Sequence, residues 1–93
     1  MEYFTYILEC SDKTLYIGYT NNLKKRLMNH NNSKNGAHYT KIRRPVYLKY
    51  YENFTTSTEA KRREFELKKY SREDKIIIIK KVNPKWKNLT IEQ

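Results

Sequence analysis

Ninety-three residues make one domain, with no room for two cores at the ~100–150 residues common per domain. Twenty Lys and Arg against ten Asp and Glu leave +10 at pH 7, the footprint of a partner for nucleic acid or an anionic surface, while 14% aromatic content argues against disorder. The lone cysteine, Cys10, excludes an internal disulfide and a thiolate metal cage, and the longest aliphatic run, Ile76 to Ile79, is far below the ~20 residues of a membrane span.

In chain order, Tyr3 to Cys10 is rich in aromatic and β-branched residues and reads as a strand. Ser11-Asp12-Lys13 is a turn, and Leu15 to Thr20 is a second strand, so the pair makes a hairpin. Thr20-Asn21-Asn22 offers N-caps, and Leu23 and Leu27 share one face of a short helix from Leu23 to about Asn31. Asn31 to Thr40 holds many turn formers and reads as a mobile loop. After Pro45, Val46 to Phe54 is a third strand. Thr56 and Glu59 form a capping box that opens a helix to about Tyr70. Ser71 and Asp74 repeat the signal. Four isoleucines then favour a strand by propensity, but the cap and the following lysines favour a helix, which Asn83-Pro84 ends. The expected architecture is α+β: a small three-stranded antiparallel sheet flanked by helices, in the order β-β-α-β-α-α. Residues 1–82 form the domain, and 83–93 a flexible tail with Trp86 docking it.

The charge is uneven. No acidic residue lies between Asp12 and Glu52, a stretch that carries Lys13, Lys24, Lys25, Arg26, Lys34, Lys41, Arg43, Arg44 and Lys49 with tyrosines interleaved. Cations contact phosphates and aromatic faces stack on splayed bases, so this stretch is a candidate nucleic-acid surface; the bland alternative is a solvated basic face. Acidic residues return further on, mixed with bases, as on a charge-laced helical surface.

Candidate chemistry is sparse. There is no Gly-rich phosphate loop, no paired-histidine metal motif and no nucleophile elbow. A basic protein acting on phosphodiesters needs a base for water, a cation beside the phosphate and usually a divalent metal. At ~100° per residue Glu64 lies about 40° from Ala60 and about 60° from Leu67, on the apolar side of its helix. An inward carboxylate is costly unless paired or metal-bound, so Glu64 is either functional or an ion-pair partner of an arginine such as Arg26. Taken singly, Tyr6 and Tyr16 read as core or edge aromatics, and Arg26 as one more surface cation.

The ordered set changes that reading. Tyr6 in Phe4-Thr5-Tyr6, then Tyr16-Ile17-Gly18, Arg26, His30 and Glu64 together resemble the GIY-YIG nuclease superfamily, over roughly Tyr3 to Ile79. The segment Gly36-Ala37-His38-Tyr39-Thr40-Lys41 with Arg43-Arg44-Pro45-Val46, and Glu59-Ala60-Lys61-Arg62-Arg63-Glu64 with Lys68-Lys69, is similar to its small stand-alone bacterial group, which looks like the N-terminal incision module of excinuclease C. The first motif lacks its Gly and Ile, and Tyr19 stands where some members carry a lysine. The resemblance implies a metal-dependent endonuclease. Tyr16 is then the base or water-positioning phenol, assisted by Tyr6, and Arg26 holds the scissile phosphate. Glu64 binds one divalent cation, Mg²⁺ or Mn²⁺, and His30 assists proton transfer or the phosphate. A phenol of pKa ~10 needs nearby positive charge to act as a base at neutral pH, and one carboxylate suits Mg²⁺, which keeps several waters. Lys24, Lys25, Lys34, His38, Tyr39, Lys41, Arg43 and Arg44 would contact duplex or branched DNA. With no appended DNA-binding domain, a protein partner would supply specificity. Such a protein is expected to act as a monomer; Met1 to Thr5 has no basic start leading into an apolar stretch, so it is expected to be cytoplasmic. The alternative is a non-catalytic nucleic-acid-binding module of the same fold.

Overall fold

A computed structural model describes residues 2–32 and 37–91. Three antiparallel strands, β1 (Tyr3–Glu9), β2 (Leu15–Thr20) and β3 (Tyr47–Phe54), form one sheet in the order β2-β1-β3. Helices α1 (Leu23–Asn32) and α2 (His38–Lys41) separate β2 from β3, and α3 (Ser57–Lys68) and α4 (Arg72–Val82) follow it. The α+β class and sheet expected from the sequence are therefore observed, with α2 as an extra short helix.

Side chains alternate across a strand, so central β1 feeds two cores. Phe4, Tyr6 and Leu8 pack with Leu23, Val46 and Leu48 on one face. Ile7 packs with Ile17, Tyr50, Leu67 and Ile79 on the other. Burial on both faces explains why β1 is nearly continuous in apolar and aromatic residues. Antiparallel pairing sets Tyr6 opposite Gly18 and Leu8 opposite Tyr16, so Tyr6 and Tyr16 share a face.

Local signals fix the helices. Asn22 Oδ1 accepts from Lys25 N at 3.0 Å and caps α1. Thr56 Oγ1 accepts from Glu59 N at 3.2 Å while donating to Glu59 Oε1 at 2.9 Å, so the T-x-x-E pair caps α3. Ser71 Oγ accepts from Asp74 N at 3.1 Å, and the four isoleucines continue as helix α4. Nucleation by the cap and burial of Ile79 outweigh the small β preference of these residues.

The segment read as an irregular loop from Asn31 to Thr40 differs. α1 runs on to Asn32, because the Asn31 side chain is tied to Val46 in both directions, accepting from its N–H at 2.8 Å and donating to its carbonyl at 3.0 Å. α2 then brings Thr40 into full burial. The mobility expected of Asn31 to Thr40 falls in part on residues 33–36, which lie outside the described residues, as does Lys34.

Between Ile7/Tyr50 and Leu8/Leu48 the β1–β3 register slips, leaving Lys49 as the extra residue of a bulge. That slip turns Lys49 into a buried anchor, with Nζ donating to Trp86 O at 2.9 Å and Asn88 Oδ1 at 2.6 Å. The stretch after α4 is held by this lysine, by Asn83 Nδ2 donating to Lys49 O at 3.0 Å, and by Leu89 N donating to Leu48 O at 2.8 Å. Trp86 Nε1 donates to Glu9 Oε1 at 3.1 Å. Among the described residues, no helix is long and apolar enough to cross a membrane.

Candidate active site

The site forms where β1, β2, α1 and α3 meet. Tyr6 is fully buried, and its ring lies across Gly18 on the neighbouring strand. A Cβ at position 18 would stand 2.6 Å from Tyr6 Cζ and 3.2 Å from Cε2, closer than real contacts allow. The glycine of the Tyr16-Ile17-Gly18 triplet is thus the space over which the Tyr6 phenol passes along its own face of the sheet, across β2. There the hydroxyl meets His30 Nε2 at 2.7 Å.

His30 is wholly buried, and its second nitrogen, Nδ1, meets Thr40 Oγ1 at 2.7 Å. Thr40 donates its own proton to Ala37 O at 2.9 Å, so it must accept from His30. This chain assigns one tautomer: Nδ1 carries the proton, and Nε2 accepts from the Tyr6 phenol. Burial, with the charges of Arg26 and Arg44 nearby, lowers His30 to about 4, so the ring is neutral at physiological pH. Burial also raises the Tyr6 phenol well above its ordinary value. The adjacent Arg26 guanidinium opposes that shift through a hydrogen bond, while Tyr16 and Glu64 add to it. Tyr6 therefore remains protonated.

Tyr16 is half-buried, edge-on to His30 at 5.1 Å between centroids and tilted against Tyr39 at 5.9 Å. Among the described residues its hydroxyl makes no hydrogen bond. The two tyrosines thus differ in kind, one committed within the fold and the other available to a bound molecule. Arg43 braces Tyr39 with its guanidinium carbon 3.8 Å from the ring centroid, and bonds Asp12 Oδ2 and Tyr39 O at 3.0 and 3.1 Å.

Glu64 projects from α3, one turn after Ala60 and nearly one before Leu67, both fully buried. Its side chain is 19% exposed, and Lys68, one turn on, reaches Oε2 at 3.5 Å. A solvent-screened pair of this kind is weak and leaves the carboxylate able to take another cation. Among the described residues, no cluster of three or more His, Cys, Asp or Glu could form a metal cage. One carboxylate beside open solvent fits a cation that keeps most of its waters, such as Mg²⁺.

Tyr6, Tyr16, Arg26, His30 and Glu64 are brought together. The expected nucleic-acid contacts are placed more variously. Lys24, Lys25 and His38 are exposed on α1 and α2, and Tyr39 and Lys41 are half-buried. Arg44 binds the last carbonyls of α1, donating to Asn29 O at 3.0 Å and His30 O at 2.5 Å. Both Arg43 and Arg44 are engaged within the fold. Thr40 stands in one of the signature segments, but the sequence alone assigns it no role. Its signal is a β-branched polar residue after His38-Tyr39, and its partner lies ten residues back across a helix end.

A family model described as the GIY-YIG catalytic domain matches residues 2–83. The chain belongs to the GIY-YIG family. It is 50% identical over 78 residues to a UPF0213 protein of Staphylococcus epidermidis, covering 84% of this chain and 94% of that one. It is 52% identical over 81 residues to a UPF0213 protein of Syntrophus aciditrophicus, covering 87% and 92%. The solution structure of a UPF0213 protein from Bacillus halodurans superposes with a TM-score of 0.61 at 36% identity, over 95% of this chain and 93% of the other. That of an E. faecalis protein gives 0.61 at 34%, over 100% and 96%. GIY-YIG nucleases generally use divalent metal ions and act on DNA, and this chain carries the fold of that nuclease family.

Proposed function

We propose that the protein is an endonuclease that hydrolyses phosphodiester bonds in DNA with one divalent cation, Mg²⁺ or Mn²⁺. The observation that carries the proposal is the division of labour between the tyrosines. The Tyr6 hydroxyl is spent on His30 and lies within electrostatic reach of Tyr16, Arg26 and Glu64, while the Tyr16 hydroxyl makes no hydrogen bond among the described residues. Arg26 would hold the scissile phosphate and offset its growing charge. Tyr16 would position the attacking water and, with its own phenol proton released to solvent under the positive charge of Arg26 and the cation, would take the water's proton as phenolate. Tyr6, kept protonated and aimed by His30, would hold Arg26 through its phenol oxygen. Glu64 would hold the cation, which when bound polarises the phosphate and stabilises the leaving oxygen. An inward carboxylate beside a phosphate-binding arginine favours this reading over a pure binding module, since it repels phosphate unless a cation intervenes.

The test is strand cleavage on a panel of duplex, branched and single-stranded DNAs, with Mg²⁺ and with chelator. Native protein should cut only with the metal. Glu64→Gln should stop cleavage while DNA affinity stays equal or rises. Variant protein that loses DNA binding as well would make Glu64 structural, and native protein that binds but never cuts would favour the binding module.

A further inference from the structure

The sheet face opposite Tyr6 carries a second feature that catalysis does not use. Glu9 sits on the Ile7 side of β1, facing away from the candidate site. Above it, α4 and the clamped tail enclose a groove of about 350 Å³ lined by Arg72, Ile76, Lys80, Lys85, Trp86 and Glu9. Arg72, Ile76 and Lys80 recur every four residues and form one stripe along α4, its two cations about 12 Å apart along the axis. Lys85 faces them from the tail. Among the described residues, none of Arg72, Lys80 and Lys85 has an ion-pair partner. The Glu9 carboxylate does not cancel them, because buried Lys49 stands 3.7 Å away and Trp86 donates to it.

Trp86 is placed with unusual care for a tail residue. Its φ is 57°, a left-handed conformation rare for a bulky side chain and costing energy that the surrounding bonds must offset. The Lys49 bulge holds its carbonyl, Asn83 O accepts from its N–H at 3.0 Å, and Glu9 fixes its indole nitrogen. The result is an indole, half-buried and fixed in orientation, with three unpaired cations around it.

We propose that this groove is a second nucleic-acid site, which takes a single-stranded segment by stacking a base against Trp86 and binding the flanking phosphates through Arg72, Lys80 and Lys85. Aromatic stacking within a cationic groove is the general solution for single strands, and needs no sequence preference. The indole is half-buried, packed against the Ile7 cluster with Lys49 Nζ 5.4 Å from its ring centroid, and lines the groove together with Ile76 and Pro84, which suits a flat base better than insertion into a lipid surface. The site lies across the sheet from Tyr16, so it would hold a different part of the substrate from the part being cut. It is independent of whether the protein cleaves.

Trp86 is the single tryptophan of the chain, so its emission reports on this groove alone. The experiment titrates the full chain with a short oligo(dT) strand at several salt concentrations. Native emission should be quenched, with affinity falling as salt rises. The triple variant Arg72→Gln, Lys80→Gln, Lys85→Gln should bind about tenfold or more weakly at the groove, with its salt slope reduced by about 2, at roughly 0.7 per lost contact. Unchanged amide shifts at Tyr6 and His30 would certify its fold. Glu64→Gln should leave the quench intact, which separates this site from the cleavage reading. Three results would overturn the proposal: emission unmoved by the strand, equal quenching in native and triple variant, or a response to phosphatidylserine vesicles with none to the strand.

Discussion

Gly18→Ala tests the link between sheet packing and site. The added methyl would lie 2.6 Å from Tyr6 Cζ, and the ring cannot retreat, because it is fully buried and its hydroxyl is bound to His30. Overpacking a tight core costs about 1–3 kcal/mol, and freeing the Tyr6–His30 bond costs about 1–3 more, since it strands two buried polar groups. Removing a strand glycine returns about 0.5–1 kcal/mol, so the net loss is roughly 1–5.5 kcal/mol. Urea unfolding measures it. Tyr6→Phe deletes the phenol oxygen, an atom in the path of the new methyl, so the same alanine should cost less in that background by at least about 1 kcal/mol. A Gly18→Ala variant within about 0.5 kcal/mol of native, or one whose penalty is unchanged in the Tyr6→Phe background, would refute the packing argument.

Three further outcomes follow. Folded His30 titrates near 4 against 6.5 unfolded, so its depressed value stabilises the fold fully above pH 6.5 and less as pH falls; at pH 5 the loss is about 2 kcal/mol. Urea unfolding of native protein and His30→Gln between pH 7 and 5 should show native alone losing that amount, and parallel curves would contradict it. Tyr16→Phe, which removes no hydrogen bond within the described residues, should leave stability within about 0.5 kcal/mol by urea unfolding and abolish cleavage. Lys49→Met strands buried Glu9 and frees the tail, so it should cost about 3 kcal/mol or more and shift Trp86 emission to the red; native-like emission would show that the bulge does not hold the tail.

What could be read from the sequence was what local spacing encodes. The Thr56/Glu59 and Ser71/Asp74 caps act within four residues, so they decided two helices, including one whose isoleucines favoured a strand. Glu64 was placed on the inner side of α3 by its angle to Ala60 and Leu67. Long-range consequences were not legible. Nothing near Gly18 says that a phenol will lie over it, since that depends on the β1–β2 register. His30 on α1 and Thr40 on α2 meet only through tertiary packing, so the proton direction at Tyr6 could not be read. The Lys49 bulge depends on a one-residue slip that no composition announces, and with it went the seating of Trp86 and the groove behind the sheet.

The most direct test of the account is amide shift mapping of the protein titrated first with Mg²⁺ and then with a short branched DNA. The account predicts Mg²⁺ shifts centred on Glu64, followed by DNA shifts at Tyr16, Arg26 and the exposed lysines of α1. DNA shifts at those positions with no Mg²⁺ response at Glu64 would contradict it, and would leave a nucleic-acid-binding module in place of a nuclease.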